Sequence, residues 1–354
     1  MNMRSLFIIT FLLVGQCLYA IDTIRIQLKW EHQFQFAGYY MAKEKGYYKD
    51  VNLNVKINEG SSLCNTVDSV LNGKAEMGIS NSELLIQRNM GKPIVALLAI
   101  YQHSPLVFLA RKKSDIQNIH DIVGRRVMLE SQSIELEAYL TKESIEKNSL
   151  IKFPYKPNAL LSSNEIDFTS AYLTDEPYLL KKNNIGYQIF TPQSAGIDFY
   201  GDVLFTSEQF IKNNLKEIEN FIQATKKGWV YALNNIDETV NVIYEKYSNR
   251  KDIEHLLYEA HESKKLICNN IVEVGYMYEG RWKHIGETYV ELGMLKPDFK
   301  VNKFIYSKED YIRPNLWFYF LIGGGIVIVI WFLIIISFGA KHSKFKPLID
   351  KENE

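Results

Sequence analysis

Apolar and polar side chains alternate from Thr23 through Ile24, Arg25, Ile26, Gln27 and Leu28 to Lys29, and again over residues 52–57. A period of two predicts a half-buried strand at each place. The stretch between them, residues 30–48, keeps no single period. It begins with Trp30, Glu31, His32, Gln33, Phe34, Gln35 and Phe36, and it ends near Gly46, where a helix would stop. The order is strand, aromatic and amide-rich loop, helix, strand. Further on, residues 63–71 predict a short helix, 75–79 a strand, and 80–90 a helix opened by Ser80 to Glu83 and capped by Ser80 or Asn81. Strands follow at 93–100 and 106–110.

A second set of alternations starts at Asp121. It predicts strands at 127–129, 151–154 and 185–190 and a helix over 134–145. After residue 203 the pattern turns helical. Ile218, Phe221, Ile222, Thr225, Trp229 and Ala232 share one face of a long helix, and Asp252 caps a later one. This helical third shows few convergent polar residues and is expected to pack onto the first set. The implied fold class is α/β, with two lobes and two crossings near 106–111 and 201–207. Lobe 1 takes about 21–108 and 204–300, and lobe 2 about 109–203.

Strand ends place the candidate chemistry. In open α/β sheets, ligands bind beyond the carboxyl ends of the strands. Three such ends carry polar and aromatic groups: Trp30, His32, Gln33, Phe36 and Tyr39; Ser80, Asn81 and Glu83; Gln102, His103 and Ser104. The second lobe adds Glu130, Tyr172, Asp175 and Glu176. Asp198 and Tyr200 lie beside the second crossing and are expected to face the cleft. Flat aromatics with amides and carboxylates suit a small planar heterocycle or a cationic amine, held by stacking and by Asp or Glu. His32 and His103 with Glu83 could be imagined around a metal, but polar pocket residues are the commoner explanation, and no metal or other cofactor is expected. No GxSxG, HExxH or P-loop pattern occurs.

Composition narrows the classes. The 354 residues carry 41 basic and 41 acidic side chains, a balance that argues against a nucleic-acid footprint. Three Cys, at 17, 64 and 268, have no paired spacing, and whether Cys64 and Cys268 bond is open. Arg4 followed by an apolar run predicts a signal peptide over 1–20. Residues 301–315 read as a juxtamembrane linker. Residues 316–338 hold no charge, and as a helix they would reach about 34 Å, enough to span a bilayer. Trp317, Phe318 and Tyr319 sit at one end of that run, and Lys341, Lys344 and Lys346 follow the other. The expectation is a single-pass protein of the inner membrane, with its body in the periplasm and its tail, 339–354, in the cytoplasm.

The run from Trp30 to Tyr40, followed by Lys45, Gly46, Tyr47, Tyr48, Lys49 and Asp50, resembles the first motif of periplasmic solute-binding proteins. Those relatives include alkanesulfonate-, taurine- and thiamine-pyrimidine-binding proteins, and the eukaryotic thiamine pyrimidine synthase belongs to the same group. The resemblance covers roughly residues 23–295. It implies a type II periplasmic-binding-protein fold, here with one C-terminal transmembrane helix. Nearly this motif also occurs in outer domains of bacterial membrane sensors. The implied partners are a small solute, the membrane, and an ABC permease or a signalling protein in trans. The synthases hold pyridoxal phosphate on a Lys after the third strand, with a His four residues on, and carry a Cys-rich run. Here the matching positions are Ser80 to Leu85, without that Lys or His, and 196–204, without Cys. A Schiff base needs an amine. Binding without chemistry is therefore the expectation, and synthase chemistry the alternative.

Overall fold

The computed structural model describes residues 22–113, 115–130, 133–156, 165–312, 327–331 and 333–334. The body, up to Ser307, holds two five-stranded sheets. The first has the order β2-β1-β3-β10-β4, from Leu53–Asn58, Asp22–Gln27, Met77–Ser80, Gly201–Ser207 and Ile94–Tyr101. The second has the order β7-β6-β8-β5-β9, from Ile151–Phe153, Arg126–Met128, Phe168–Tyr172, Leu106–Arg111 and Tyr187–Phe190. The two sheets share one plan. Four strands run in one direction, and one strand arriving from the other lobe runs against them and pairs antiparallel on both its sides: β10 in the first sheet, β5 in the second.

This plan moves the crossings. The spans expected to be crossings, 106–111 and 201–207, are themselves central strands. The chain passes between lobes at 102–105 and 191–200 instead, because an apolar run such as Leu106 to Ala110 is fully buried and serves as sheet interior.

The helices are α1 Ala37–Glu44, α2 Thr66–Leu71, α3 Leu84–Asn89, α4 Ile134–Lys142, α5 Glu176–Lys182, α6 Glu208–Asn213, α7 Leu215–Asn234, α8 Ile236–Lys246, α9 Ile253–Ile267 and α10 Glu279–Glu291. As expected, Asp252 caps α9, accepting from His255 N–H. Neither Ser80 nor Asn81 caps α3; Ser80 Oγ donates to Glu83 instead, at 2.9 Å. Helix α1 lies directly on α7. A Cβ on Gly38 would fall 2.1 Å from the Trp229 ring, and one on Gly228 would fall 2.2 Å from Gly38 O. Only glycine allows this approach, which fixes the loop leading into α1.

The chain after α9 returns to the first sheet, where Ala96 N–H donates to Phe304 O and Tyr306 N–H to Ala96 O. The expected linker, 301–315, thus begins inside the folded body. Cys64 and Cys268 are free thiols. The expected signal peptide lies outside the described residues, as does most of the apolar run 316–338. Residues 327–331 and 333–334 are helical, and among the described residues no helix is long and apolar enough to cross a membrane.

Candidate functional site

The carboxyl ends of β1, β3, β6 and β8 meet around a tight cavity of about 30 Å³. From the first lobe come Lys29, Trp30, Gln33, Gln35 and Asn81; from the second come Leu106, Glu130, Tyr155, Ser170, Ala171, Tyr172, Asp175 and Glu176. Of the residues expected from sequence, Trp30, Gln33, Asn81, Glu130, Tyr172, Asp175 and Glu176 line this space. Trp30 is half-buried and meets Tyr155 edge-on, with ring centroids 6.3 Å apart.

The other expected residues sit elsewhere. Phe36 and Tyr39 are core, Tyr39 packing edge-on against Trp229. His32 is held by Tyr40, whose hydroxyl is 2.9 Å from Nδ1, and its backbone N–H donates to Glu59. Ser80 and Glu83 pair with each other and line a separate hollow. Gln102 donates to Ala99 O and Tyr276 O, and Ser104 Oγ accepts from Leu106 N–H. Asp198 does not face the cavity: it binds His103 at 2.8 Å and Arg281 at 3.2 Å. Tyr200 lies under the Arg281 guanidinium, 4.3 Å from its ring centre. Arg281, on α10, thereby ties the two crossings together, since it also donates to Gln102 O and Asp198 O.

Sequence reasoning missed the charged groups beneath the cavity. Lys29 is buried and reaches Asp202 and Asn81 at 2.5 Å each, and also the Tyr172 hydroxyl. Asp202 has φ 46°, a left-handed conformation that costs a non-glycine residue strain. Burial pushes its carboxyl up, and Lys29 offsets part of that.

The helical third, expected to be poor in convergent polar groups, supplies Lys251, His255 and Glu259. Lys251 Nζ lies 2.6 Å from Asp175 and also pairs with Glu259; His255 Nε2 lies 2.7 Å from Asp175. Burial alone would raise the Asp175 carboxyl, but Lys251 and His255 outweigh it and hold it low. Asp175, His255 and Glu259 offer ligand atoms within 4.8 Å of one another, close enough to hold a cation. The Lys251 ammonium already bridges the two carboxylates, so the charge a metal would bring is supplied by a side chain.

Glu176 behaves differently. Burial, then the charge on Asp175, pushes it from 4.5 up to about 8, against the backbone N–H of Tyr172 that it accepts at 2.8 Å. The folded state thus keeps a proton that the unfolded chain has lost above its ordinary value. Its contribution to stability is present below about pH 4.5 and is lost as pH rises to about 8. Melting temperature is expected to fall between pH 5 and 8.5, less steeply in Glu176→Gln. The flattening is partial, because burial also raises Glu135 to about 8. A variant profile as steep as the parent's would contradict the assignment.

The NMT1/THI5-like family model matches residues 33–239, more than half of the chain. The chain belongs to the NMT1/THI5-like family. Among relatives, this family member is similar to the riboflavin-binding protein RibY of Chloroflexus aurantiacus, 21% identical over 231 residues, covering 63% of this chain and 66% of the relative. It is also similar to the formylaminopyrimidine-binding protein of Halalkalibacterium halodurans, 23% identical over 237 residues, covering 63% of this chain and 70% of that one. Among solved structures, the alkanesulfonate-binding protein SsuA from Xanthomonas axonopodis pv. citri matches with a TM-score of 0.64. It is 10% identical, over 80% of this chain and 98% of that one. At that identity the likeness shows the fold alone: the two-lobed α/β fold of periplasmic binding proteins.

Proposed function

We propose that this NMT1/THI5-like chain is a solute-binding protein whose cavity takes a small planar heterocycle carrying an amine. The observation that carries this is the cavity's composition: Trp30, Tyr155 and Tyr172 beside three carboxyl groups, Glu130, Asp175 and Glu176. An anion such as a sulfonate fits poorly. Lys29 is committed to Asp202 and Lys251 to Asp175 and Glu259, so neither ammonium is left to balance it. The relatives' printed ligands, riboflavin and formylaminopyrimidine, are nitrogen heterocycles and support the same class.

Binding without chemistry is the reading for the same reason. The lysine at the cavity is a buried ion-pair partner rather than a free amine, and the relatives are named as binding proteins. Calorimetric titration with aminopyrimidines, polyamines and sulfonates tests the proposal. Aminopyrimidines are expected to bind. Trp30→Ala is then expected to weaken them about five- to thirty-fold, the equivalent of about 1–2 kcal/mol of stacking. A sharp drop in melting temperature with unchanged affinity would make Trp30 a packing residue instead.

The body is further proposed to lie outside the inner membrane, held by residues 316–338, where it serves an ABC permease or a signalling partner. The basic tail and the apolar leader support this. A cysteine placed within 341–354 is expected to resist impermeant thiol reagents in intact cells. Ready labelling would reverse the orientation.

A further inference from the structure

A row of polar side chains runs beneath the cavity, and a lysine stands at each end of it. Lysine carries donors only, so the atom of an amide side chain that it meets must be the oxygen. That fixes the orientation of amides whose two ends otherwise look alike. At one end, Lys251 Nζ lies 2.6 Å from Gln33 Oε1. Gln33 Nε2 is thereby turned to donate to Gln35 Oε1, and Gln35 Nε2 donates to both oxygens of Asp202, at 3.0 and 2.8 Å. At the other end, Lys29 Nζ meets Asp202 and Asn81 Oδ1, and the Tyr172 hydroxyl also donates to Asn81 Oδ1 at 3.3 Å.

Every amide oxygen in the row is therefore occupied. Asn81 Nδ2 donates to no group among the described residues, and Gln33 Nε2 has a second N–H beyond the one given to Gln35. Both side chains line the cavity. The second-lobe side of the same cavity carries the carboxyl groups of Glu130 and Glu176.

We propose that Lys29 and Lys251 act as positioning residues that make the first-lobe side of the cavity a hydrogen-bond donor face opposite a carboxyl face. The site then selects a planar heterocycle with acceptor atoms, ring nitrogens or carbonyls, along one edge and N–H donors along the other. This rests on the reading of the cavity as the solute site and adds the polarity of what it takes. A polyamine offers donors only, and it would leave the amide N–H groups facing it unpaired on burial, which a dry site penalises.

Two probes of one shape separate the possibilities. 4-Amino-5-hydroxymethyl-2-methylpyrimidine has an amino donor and two ring nitrogens. In 2-amino-4-methylbenzyl alcohol, CH groups replace both nitrogens and all else is kept. Calorimetry on the folded chain is expected to show the pyrimidine binding at least about tenfold tighter, as sites built to hydrogen-bond a group reject analogues lacking it. Asn81→Asp keeps the shape and replaces the two N–H donors with an oxygen, and it is expected to bring the ratio close to one. Lys251→Met, which frees the Gln33 amide to turn, is expected to lower the ratio several-fold. Comparing ratios cancels any general loss of packing. Asn81→Ala gives the same readout if the Asp variant does not fold. Equal binding of both probes by the parent overturns this proposal and leaves the solute-binding reading standing, as does a ratio that Asn81 variants leave unchanged. Binding of neither probe overturns the heterocycle reading and this proposal with it.

Discussion

Replacing Lys29 with Met is expected to remove about 3 kcal/mol of folding stability, the lower end of the cost of breaking a buried ion pair. Lys29 and Asp202 have 5% and 2% of their side-chain surface exposed, and the ammonium also holds Asn81 and Tyr172. Without it, Asp202 keeps Gln35 as a donor but no charge to balance its own. The lower end applies because burial already pushes the Asp202 carboxyl up, so the orphaned group escapes part of the penalty by taking a proton. The escape sets a sign. The folded variant holds a proton that the unfolded chain releases, so the variant's stability declines further as pH rises above the ordinary Asp range. Adding Asp202→Asn removes the orphaned charge and is expected to recover much of the loss. Urea denaturation of both variants at pH 5 and pH 8 measures all of this. A single variant within about 0.5 kcal/mol of the parent at both pH values would show that water reaches the pair, since only exposed pairs cost so little to break.

Strand positions were legible because a half-buried strand leaves a period of two, and 23–29 shows it. The same pattern concealed Lys29. It occupies the polar phase of the alternation with Thr23, Arg25 and Gln27, and a polar phase reads as solvent. The observed strand stops at Gln27, so Lys29 lies past the sheet, where it turns inward. In the helical third, Leu256 and Ala260 dominate the pattern of α9. His255 and Glu259 are also spaced by four, which puts them on one stripe beside the apolar one, and Lys251 lies just before the helix cap. That stripe is what meets Asp175, and the spacing could have revealed it. Asp198 and Tyr200 went astray for another reason. Nearness in sequence to a crossing does not say which side of the crossing faces the ligand. Here Arg281 and His103 draw Asp198 away, through contacts 83 and 95 positions apart in the chain.

Asp175→Asn is expected to loosen the closed arrangement of the lobes without unfolding either one. Asp175 stands at the start of α5 in the second lobe and is gripped by Lys251 and His255 from the first. Asp175 carries the negative charge of a buried ion pair with Lys251 across the cleft, and Asn carries none. Tyr178 adds a stack on His255 with centroids 4.5 Å apart, and Lys182 pairs with Asp252 in an exposed contact. In the variant, Lys251 still has Glu259 and Gln33 within its own lobe, so no charge there is orphaned. What weakens is the tie across the cleft. If only closed lobes bind fully, affinity falls in proportion to the closed fraction, and a drop to about a tenth closed means about a tenfold rise in apparent Kd. Small-angle scattering should then show a larger radius of gyration without ligand, and saturating aminopyrimidine should reverse it. Lys182→Met is the control. Its pair is exposed on both sides and is worth at most about 1 kcal/mol, so scattering and affinity should stay near the parent's. Unchanged scattering and affinity in Asp175→Asn would mean that the lobes are held by packing alone. Asp175 would then serve the cavity wall and have no part in closing it.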